Sequence, residues 1–306
     1  MQAATYSGYS ADNSRLTVGE VPDPKVGPGQ VLIEVRAAGV NPVDWKVMAG
    51  GLDAMMDTVF PAIPGWDVAG VVRAAGPDAP EFTAGDEVMA YARKDVVQAG
   101  TFAQLVTVSA RDVARKPAAL DWPQAGGLPL AGLTALRSLD ALRVGARDSL
   151  LIHAAAGGVG SIAVQIARAR GARVIGTASE RNHDFLQALG AEPVAYGEGL
   201  AERVRALAPD GATTVLDCVG GQLETTLAVL APGGRHVSIA DPAVTQHGGR
   251  WIWVRPDGAG LAELAYLANR GLLTVEVAQT FRLTDVAAAF DVSRTGRVRG
   301  KLVIVP

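Results

Sequence analysis

The stretch IHAAAGGVGS, residues 152–161, runs an apolar strand end straight into a cluster of glycines, and an apolar run with helical spacing follows. Few folds accommodate that order. Glycine carries an entropic cost on folding and contributes no packing, so Gly157, Gly158 and Gly160 at a strand-to-helix junction need a reason. Unpaired backbone N–H groups and the positive end of the helix dipole collect there and favour a phosphate. A side chain would hold a diphosphate away from those donors. Reading AAAGGVG as A-x-x-G-x-x-G puts Ala154, Gly157 and Gly160 at the motif places, with Gly158 and Val159 between them. Alone, the pattern is no more than a tight turn; inside a βαβ unit it points to a dinucleotide.

The surrounding chain supplies that unit. SLLIHAA (149–155), ARVIGTAS (172–179), TTVLDCVGG (213–221) and GRHVSIAD (234–241) read as buried strands. GSIAVQIARARG (160–171), RNHDFLQALGA (181–191) and LETTLAVL (223–230) alternate with them at helical spacing. The expected class is α/β, with a doubly wound parallel sheet covered on both faces. The first 120 residues differ. QVLIEVRAAGV (30–40) and GVVRAAG (70–76) are strand-like, PDPKVGPGQ and AGPDAP are turns, and little has a helical period, so a β-rich lobe is expected. The tail offers one helix and a last strand, KLVIVP. A chain of 306 residues suits two domains: 1–121, completed by 276–306, and 122–275.

The end of the second strand selects the dinucleotide. NAD sites usually carry an acidic side chain about 20 residues beyond the glycine turn. Here GTASERN places Ser179, Glu180 and Arg181 at that point. A hydroxyl with a guanidinium suits a 2′-phosphate, and Glu180 reads as a solvated carboxylate in the first turn of the next helix. NADPH is expected over NADH.

Composition excludes other classes. A formal charge of −3 gives no footprint for nucleic acid or an anionic membrane. The single cysteine, Cys218, rules out an internal disulfide and any multi-cysteine metal site; it reads as a small buried hydrophobe. The N-terminus has no signal-peptide pattern, and the apolar runs fall far short of the roughly 20 residues needed to cross a bilayer. These readings describe a soluble, cytoplasmic protein.

Taken in order, AAGVNPVDWKVMAGG (37–51), FPAIPGWDVAGVV (60–72), FTAGDEV (82–88), GLPLAGLTAL (127–136), the glycine segment (152–179) and GRVRGKLVIVP (296–306) resemble the medium-chain dehydrogenase/reductase superfamily. Within it they resemble the zinc-free quinone oxidoreductase group. The resemblance implies a GroES-like β-rich lobe, a Rossmann domain, a C-terminal return to the first lobe, and commonly a homodimer. Zinc-dependent members carry a ligand Cys where this chain has Asn41 and a ligand His where it has Trp66. An amide and an indole do not replace a thiolate and an imidazole on zinc, and His153, His183, His236 and His247 have no ligand spacing. No metal is expected.

Without a Lewis acid the acceptor must take hydride readily by itself. A quinone does so, as does an enone, enal or enoyl thioester, although no basic patch for a coenzyme A phosphate is evident. Asn41 is the candidate donor to the developing oxyanion, against a plain turn role before Pro42. Asp44 matches a polar family position that orients the loop or the nicotinamide ribose; it is given no proton-transfer role, and a turn-capping aspartate is the other reading. Trp45, Phe60 and Trp66 are candidate substrate contacts, Phe60 standing where several quinone reductases carry a tyrosine. By the same resemblance Thr134, Tyr196 and Lys301 approach the cofactor, and Asp217, Val219 and Gly220 line its site. A reading from another class is an NADPH-binding structural or sensor protein without turnover.

Overall fold

A computed structural model describes all 306 residues. In chain order the N-terminal part contains β1 (Gln2–Tyr6), β2 (Leu16–Glu20), β3 (Gln30–Val40), α1 (Pro42–Met48), β4 (Thr58–Ile63), β5 (Asp67–Ala75) and β6 (Glu87–Tyr91). It continues through β7 (Val97–Ala99), β8 (Leu105–Ser109), β9 (Val113–Arg115), α2 (Trp122–Gly127) and α3 (Pro129–Ala141). The middle contains β10 (Ser149–His153), α4 (Gly158–Ala169), β11 (Arg173–Ala178), α5 (His183–Ala188), β12 (Glu192–Ala195), α6 (Leu200–Leu207), β13 (Ala212–Asp217), α7 (Leu223–Val229), β14 (Leu230–Ser238) and β15 (Arg250–Trp251). The chain closes with α8 (Gly258–Asn269), β16 (Val277–Arg282), α9 (Val286–Arg294) and β17 (Lys301–Val305).

Two compact units result, Met1–Leu133 with Arg255–Pro306, and Thr134–Val254. The expected boundaries at 121/122 and 275/276 therefore move, because two helices join the β unit. In α2, Gly126 and Gly127 lie against Ala37 of β3 and Lys301 of β17, and the start of α8 at Gly258 abuts the carbonyls of Arg111 and Val113. Amphipathic texture assigns a segment to a helix, but not to the sheet that helix will cover.

In the β unit, β3 is the spine. Burial alternates over its first half and then becomes continuous from Ala37 to Val40, the mark of a strand covered on both faces. It pairs antiparallel with β5, β8 and β17, in a seven-stranded sheet ordered β16-β17-β3-β5-β6-β9 with β8 also on β3. A second sheet runs β2-β1-β4-β7. Tyr6, Ile33, Met48, Phe102 and Phe290 anchor the core, so α9 from the chain's end helps close a lobe begun at its start. The unit also contains α1, which the sequence texture did not suggest. Seven residues are too few to display a period, yet the start is well specified: Pro42 occupies the first helical position and Asp44 Oδ2 accepts the Asn41 N–H at 2.7 Å.

The second unit is a six-stranded sheet ordered β12-β11-β10-β13-β14-β15, every pair parallel. Numbered from β10, this is the 3-2-1-4-5-6 order of the dinucleotide-binding fold. The direction of winding reverses between β10 and β13, and ligands gather beyond the carboxyl ends of strands at such a switch point.

Candidate active site

Within the parallel-sheet unit the candidate cofactor residues fall on one edge. Gly157, Gly158, Val159 and Gly160 follow β10; Ser179 and Arg181 follow β11; Tyr196 follows β12; Val219 and Gly220 follow β13. Parallel pairing alone brings these four sequence segments side by side at the carboxyl ends of adjacent strands. Gly157 caps α4 without a side chain, and the first intrahelical bond is Ser161 N–H to Gly157 O at 2.9 Å. The N–H groups of Gly158, Val159 and Gly160 thus precede any intrahelical acceptor, which leaves an anion-binding helix start.

The glycines are not equivalent. A Cβ on Gly160 would stand 2.4 Å from Ala154 O and 2.7 Å from Ala155 Cα, whereas one on Gly157 would meet only Ala154 O at 3.4 Å. Gly160 therefore lets α4 close onto the turn, which is a packing requirement, whereas the space beside Gly157 is open apart from Ala154 O. Ala154 itself is left-handed, with φ +56°, a region costly for a residue with a Cβ. The turn is tied down from β11, where Thr177 Oγ1 and Thr177 O accept the N–H groups of Ala154 and Ala155 at 3.0 and 2.9 Å.

At the neighbouring strand ends Glu180 and Arg181 are exposed and Ser179 is half-buried, accepting Asn182 Nδ2 at 3.2 Å. Tyr196 is 63% exposed. Asp217 faces inward. Its Oδ1 accepts the N–H groups of Val219 and Gly220, both at 2.9 Å, and its Oδ2 accepts Ser238 Oγ at 2.8 Å. With both oxygens spent, Asp217 shapes the turn that presents Val219 and Gly220. His153 pairs with Asp217 across β10 and β13; burial pulls its imidazole down to about 4, against the opposing pull of Asp217. Burial of the sulfur, and then the Asp217 charge, push the Cys218 thiol up, which makes it a poor nucleophile. Thr134 is buried within α3, where its carbonyl accepts Ser138 Oγ at 2.7 Å.

In the β unit the polar candidates form a buried network whose other members are Asp67 and Leu130. Lys301 Nζ donates to Val40 O at 3.1 Å and to Asn41 Oδ1 at 2.5 Å, and lies 3.6 Å from Asp67 Oδ2. Asn41 Nδ2 donates to Asp67 Oδ2 at 2.8 Å and reaches Gly39 O at 3.4 Å. Leu130 N–H donates to Asp67 Oδ1 at 2.7 Å. Gly39 must lack a side chain, since its Cβ would lie 2.8 Å from Asp67 Oδ2. Two sequence expectations change here. Both Asn41 amide hydrogens are directed at protein oxygens, so the amide is not free to donate to a substrate oxygen. Lys301 spends its ammonium inside the β unit instead of on a cofactor.

Burial dominates the electrostatics. It raises Asp67 to about 6 despite Lys301 and the Asn41 and Leu130 donors, and raises Asp44 to about 8 against the Asn41 N–H bond. Burial also pulls Lys301 down, opposed by Asp67 and Asp44. Asp67 and the unpartnered Tyr6 hydroxyl were not singled out from sequence. A signal existed: DVAGVV and KLVIV each begin an apolar strand with a charge, and opposite charges heading buried strands need each other.

The aromatic candidates divide. Phe60 is 37% exposed and packs edge-on to Tyr6 and Tyr9, with ring centroids 5.7 and 5.1 Å away. Trp66 is buried against Tyr91. Trp45 donates its indole N–H to Ser293 Oγ at 3.1 Å and lies under Arg294. Phe60 presents a surface that a planar substrate can use, whereas Trp45 and Trp66 serve packing. No group of three or more His, Cys, Asp or Glu is placed to hold a metal ion.

A 3-2-1-4-5-6 parallel sheet, joined in one chain to a β unit with a buried polar network, is the architecture of a dinucleotide-binding protein. Comparison with known proteins specifies it. The alcohol dehydrogenase GroES-like domain matches residues 27–118 and the zinc-binding dehydrogenase family matches 158–249. The chain is 34% identical to the chloroplastic NADPH-dependent alkenal/one oxidoreductase of Arabidopsis thaliana, covering all of this chain and 80% of the relative. Among solved structures it is similar to the quinone oxidoreductase of Coxiella burnetii (TM-score 0.88, 32% identity, 100% and 99% of the two chains). It also resembles a mycobacterial protein complexed with NADPH (TM-score 0.86, 28% identity, both chains covered fully). The chain belongs to the medium-chain dehydrogenase/reductase superfamily, in its quinone oxidoreductase group, and has that group's GroES-like and Rossmann domains.

Proposed function

We propose that this oxidoreductase is a metal-independent reductase that uses NADPH to reduce a quinone. The observation that carries the cofactor reading is the shared strand-end edge. Bare N–H groups at Gly158–Gly160 suit a diphosphate, and Ser179 with exposed Arg181 suits a 2′-phosphate. Bound there, the reduced nicotinamide supplies a hydride. The acceptor class follows from side-chain chemistry: with an amide at 41 and an indole at 66, the chain offers no thiolate–imidazole pair for zinc, so the substrate must delocalise the charge it gains. A quinone takes hydride with charge passing to oxygen, and one proton completes the reduction.

An enone or enal is the second reading. It is favoured by the alkenal/one relative and by Phe60, whose ring has no hydroxyl to offer a quinone oxygen. The test is a panel of benzoquinone, phenanthrenequinone, enals and enones, assayed with both reduced nucleotides after dialysis against a strong chelator. NADPH-dependent turnover of quinones above enals supports the first reading; the reverse order selects the second. Loss of activity on chelation overturns metal independence, and nucleotide binding with no turnover favours a sensor or structural role. No helix is long and apolar enough to cross a membrane. The exposed Trp251 and Trp253 beside the edge strand β15 suit a homodimer contact.

A further inference from the structure

The buried network of the β unit contains three ionisable side chains, and their hydrogen bonds assign the protons. Lys301 Nζ faces three oxygens: Val40 O, Asn41 Oδ1 and Asp67 Oδ2. Two of them, Val40 O and Asn41 Oδ1, accept its hydrogen bonds, and Asp67 Oδ2 at 3.6 Å is its counter-ion, the surroundings of an ammonium. Asp67 faces only donors, namely Leu130 N–H, Asn41 Nδ2 and Lys301, and is therefore the carboxylate. These two charges cancel. Asp44 is different: its Oδ2 accepts the Asn41 N–H at 2.7 Å, while its Oδ1 is buried and has no partner at all. A second anion in that position would have a bare, desolvated oxygen and no cation of its own.

We propose that Asp44 is a positioning residue that keeps a proton on its Oδ1, so that the Asn41–Lys301–Asp67 network stays electrically neutral while the enzyme works. The inference rests on the reductase reading for its kinetic consequence only; the proton itself is a property of the folded chain. The raised titration of Asp44, to about 8, agrees with the assignment: burial raises it most and Asp67 repulsion adds to this, against the opposing Asn41 N–H bond and Lys301 charge. Lys301 attracts Asp44 as well, but its charge is already matched by Asp67. Tyr6 on β1 has an unpartnered hydroxyl that burial, Tyr9 and Asp44 all push up, and Tyr91 on β6 is pushed up by burial, Asp67 and Asp44 against the pull of Arg93. Tyr9 is bonded to Asp53. On α9, which packs on α1, Arg294 is paired with Asp291. When Asp44 loses its proton, a negative charge appears beside Asn41 and Asp67. It loosens the network and opposes the negative charge that hydride transfer places on the acceptor.

The test has two readouts. In the full-length protein without cofactor, difference infrared spectroscopy with ¹³C-carboxyl aspartate is expected to show a buried protonated carboxyl at pH 7 that disappears by pH 10. The band is absent from Asp44→Asn, and its absence from wild type at pH 7 overturns the proposal, whether or not the variant folds. In steady state with saturating NADPH, wild-type kcat/KM for the acceptor falls about tenfold per pH unit above its alkaline pKa. Asp44→Asn, which cannot ionise, loses that limb whatever its absolute rate. Persistence of the limb in the variant overturns the kinetic role. Absence of turnover in both proteins, with the band present, counts against the reductase reading alone.

Discussion

At the carboxyl edge of the β10–β15 sheet, the groups offered to a ligand are main-chain N–H groups at the start of α4, and the side chains that matter are mostly the missing ones. In the β unit the opposite holds: Asn41, Asp67 and Lys301 are buried side chains satisfied by one another, with Asp44 held beside them by the Asn41 main-chain N–H. The first arrangement is local, written within short segments after each strand. The second is assembled from three distant places in the chain, and none of its members is interpretable without the rest. A site made of backbone tolerates exposure and waits for its anion; one made of buried charge must be complete before any ligand arrives.

Removing one partner from the buried network should have the largest effect. Lys301→Met leaves Asp67 facing donors but no cation, and is expected to destabilise the fold by about 3–5 kcal/mol, as for other broken buried pairs, read by urea denaturation. A loss under about 1 kcal/mol, the value for a surface pair, would erase the contrast between the two regions. Gly160→Val tests the other side. Its Cβ would meet backbone atoms at 2.4 and 2.7 Å, and overpacking of this kind costs roughly 1–3 kcal/mol. Binding of NADPH and NADH should be lost together by nucleotide fluorescence titration, and normal binding would refute the tight-turn account.

Arg181→Ala sharpens the comparison, because a phosphate contact of the kind proposed should matter to one nucleotide and not to the other. NADPH affinity is expected to fall roughly 10–100-fold, the value of one charged hydrogen bond, with NADH affinity unchanged. Equal losses for both nucleotides would remove the phosphate contact.

Stability should depend on pH through the β unit. Asp67 and Asp44 are raised in the folded chain, so it retains protons that the unfolded chain has released. Their contribution is complete below about pH 4, the ordinary carboxylate value, and is lost as pH rises through about 6 for Asp67 and about 8 for Asp44. Unfolding free energy should therefore decline by on the order of 1.4 kcal/mol per pH unit per titrating group across that window. Asp44→Asn should flatten its upper part, and a variant curve parallel to wild type would contradict the assignment. The smallest effect belongs to Ala154→Gly, which relieves a left-handed alanine at φ +56°. A gain of about 0.5–1 kcal/mol is expected, visible as a rise in melting temperature.

The parallel-sheet unit was legible because its determinants are periodic and contiguous: strands, helices and glycines follow one another in the order in which they pack. α1 was not, since one seven-residue helix sets its register by Pro42 and Asp44 rather than by repetition. The boundaries moved for a related reason, since α2 and α8 are ordinary helices whose choice of sheet depends on small residues meeting in space.

From residues alone came the alternation that winds the sheet, the glycine turn with its helix start, the hydroxyl and guanidinium at the end of the second strand, and the want of zinc ligands at 41 and 66. Those are properties of neighbours in the chain, where chemistry and spacing are read together. Folding decided that Asn41 donates to Asp67 instead of outward, that Lys301 serves the β unit, and that Asp217 holds a turn. Each depends on which groups lose water in the same place, and desolvation is a property of packed space that residue order does not record.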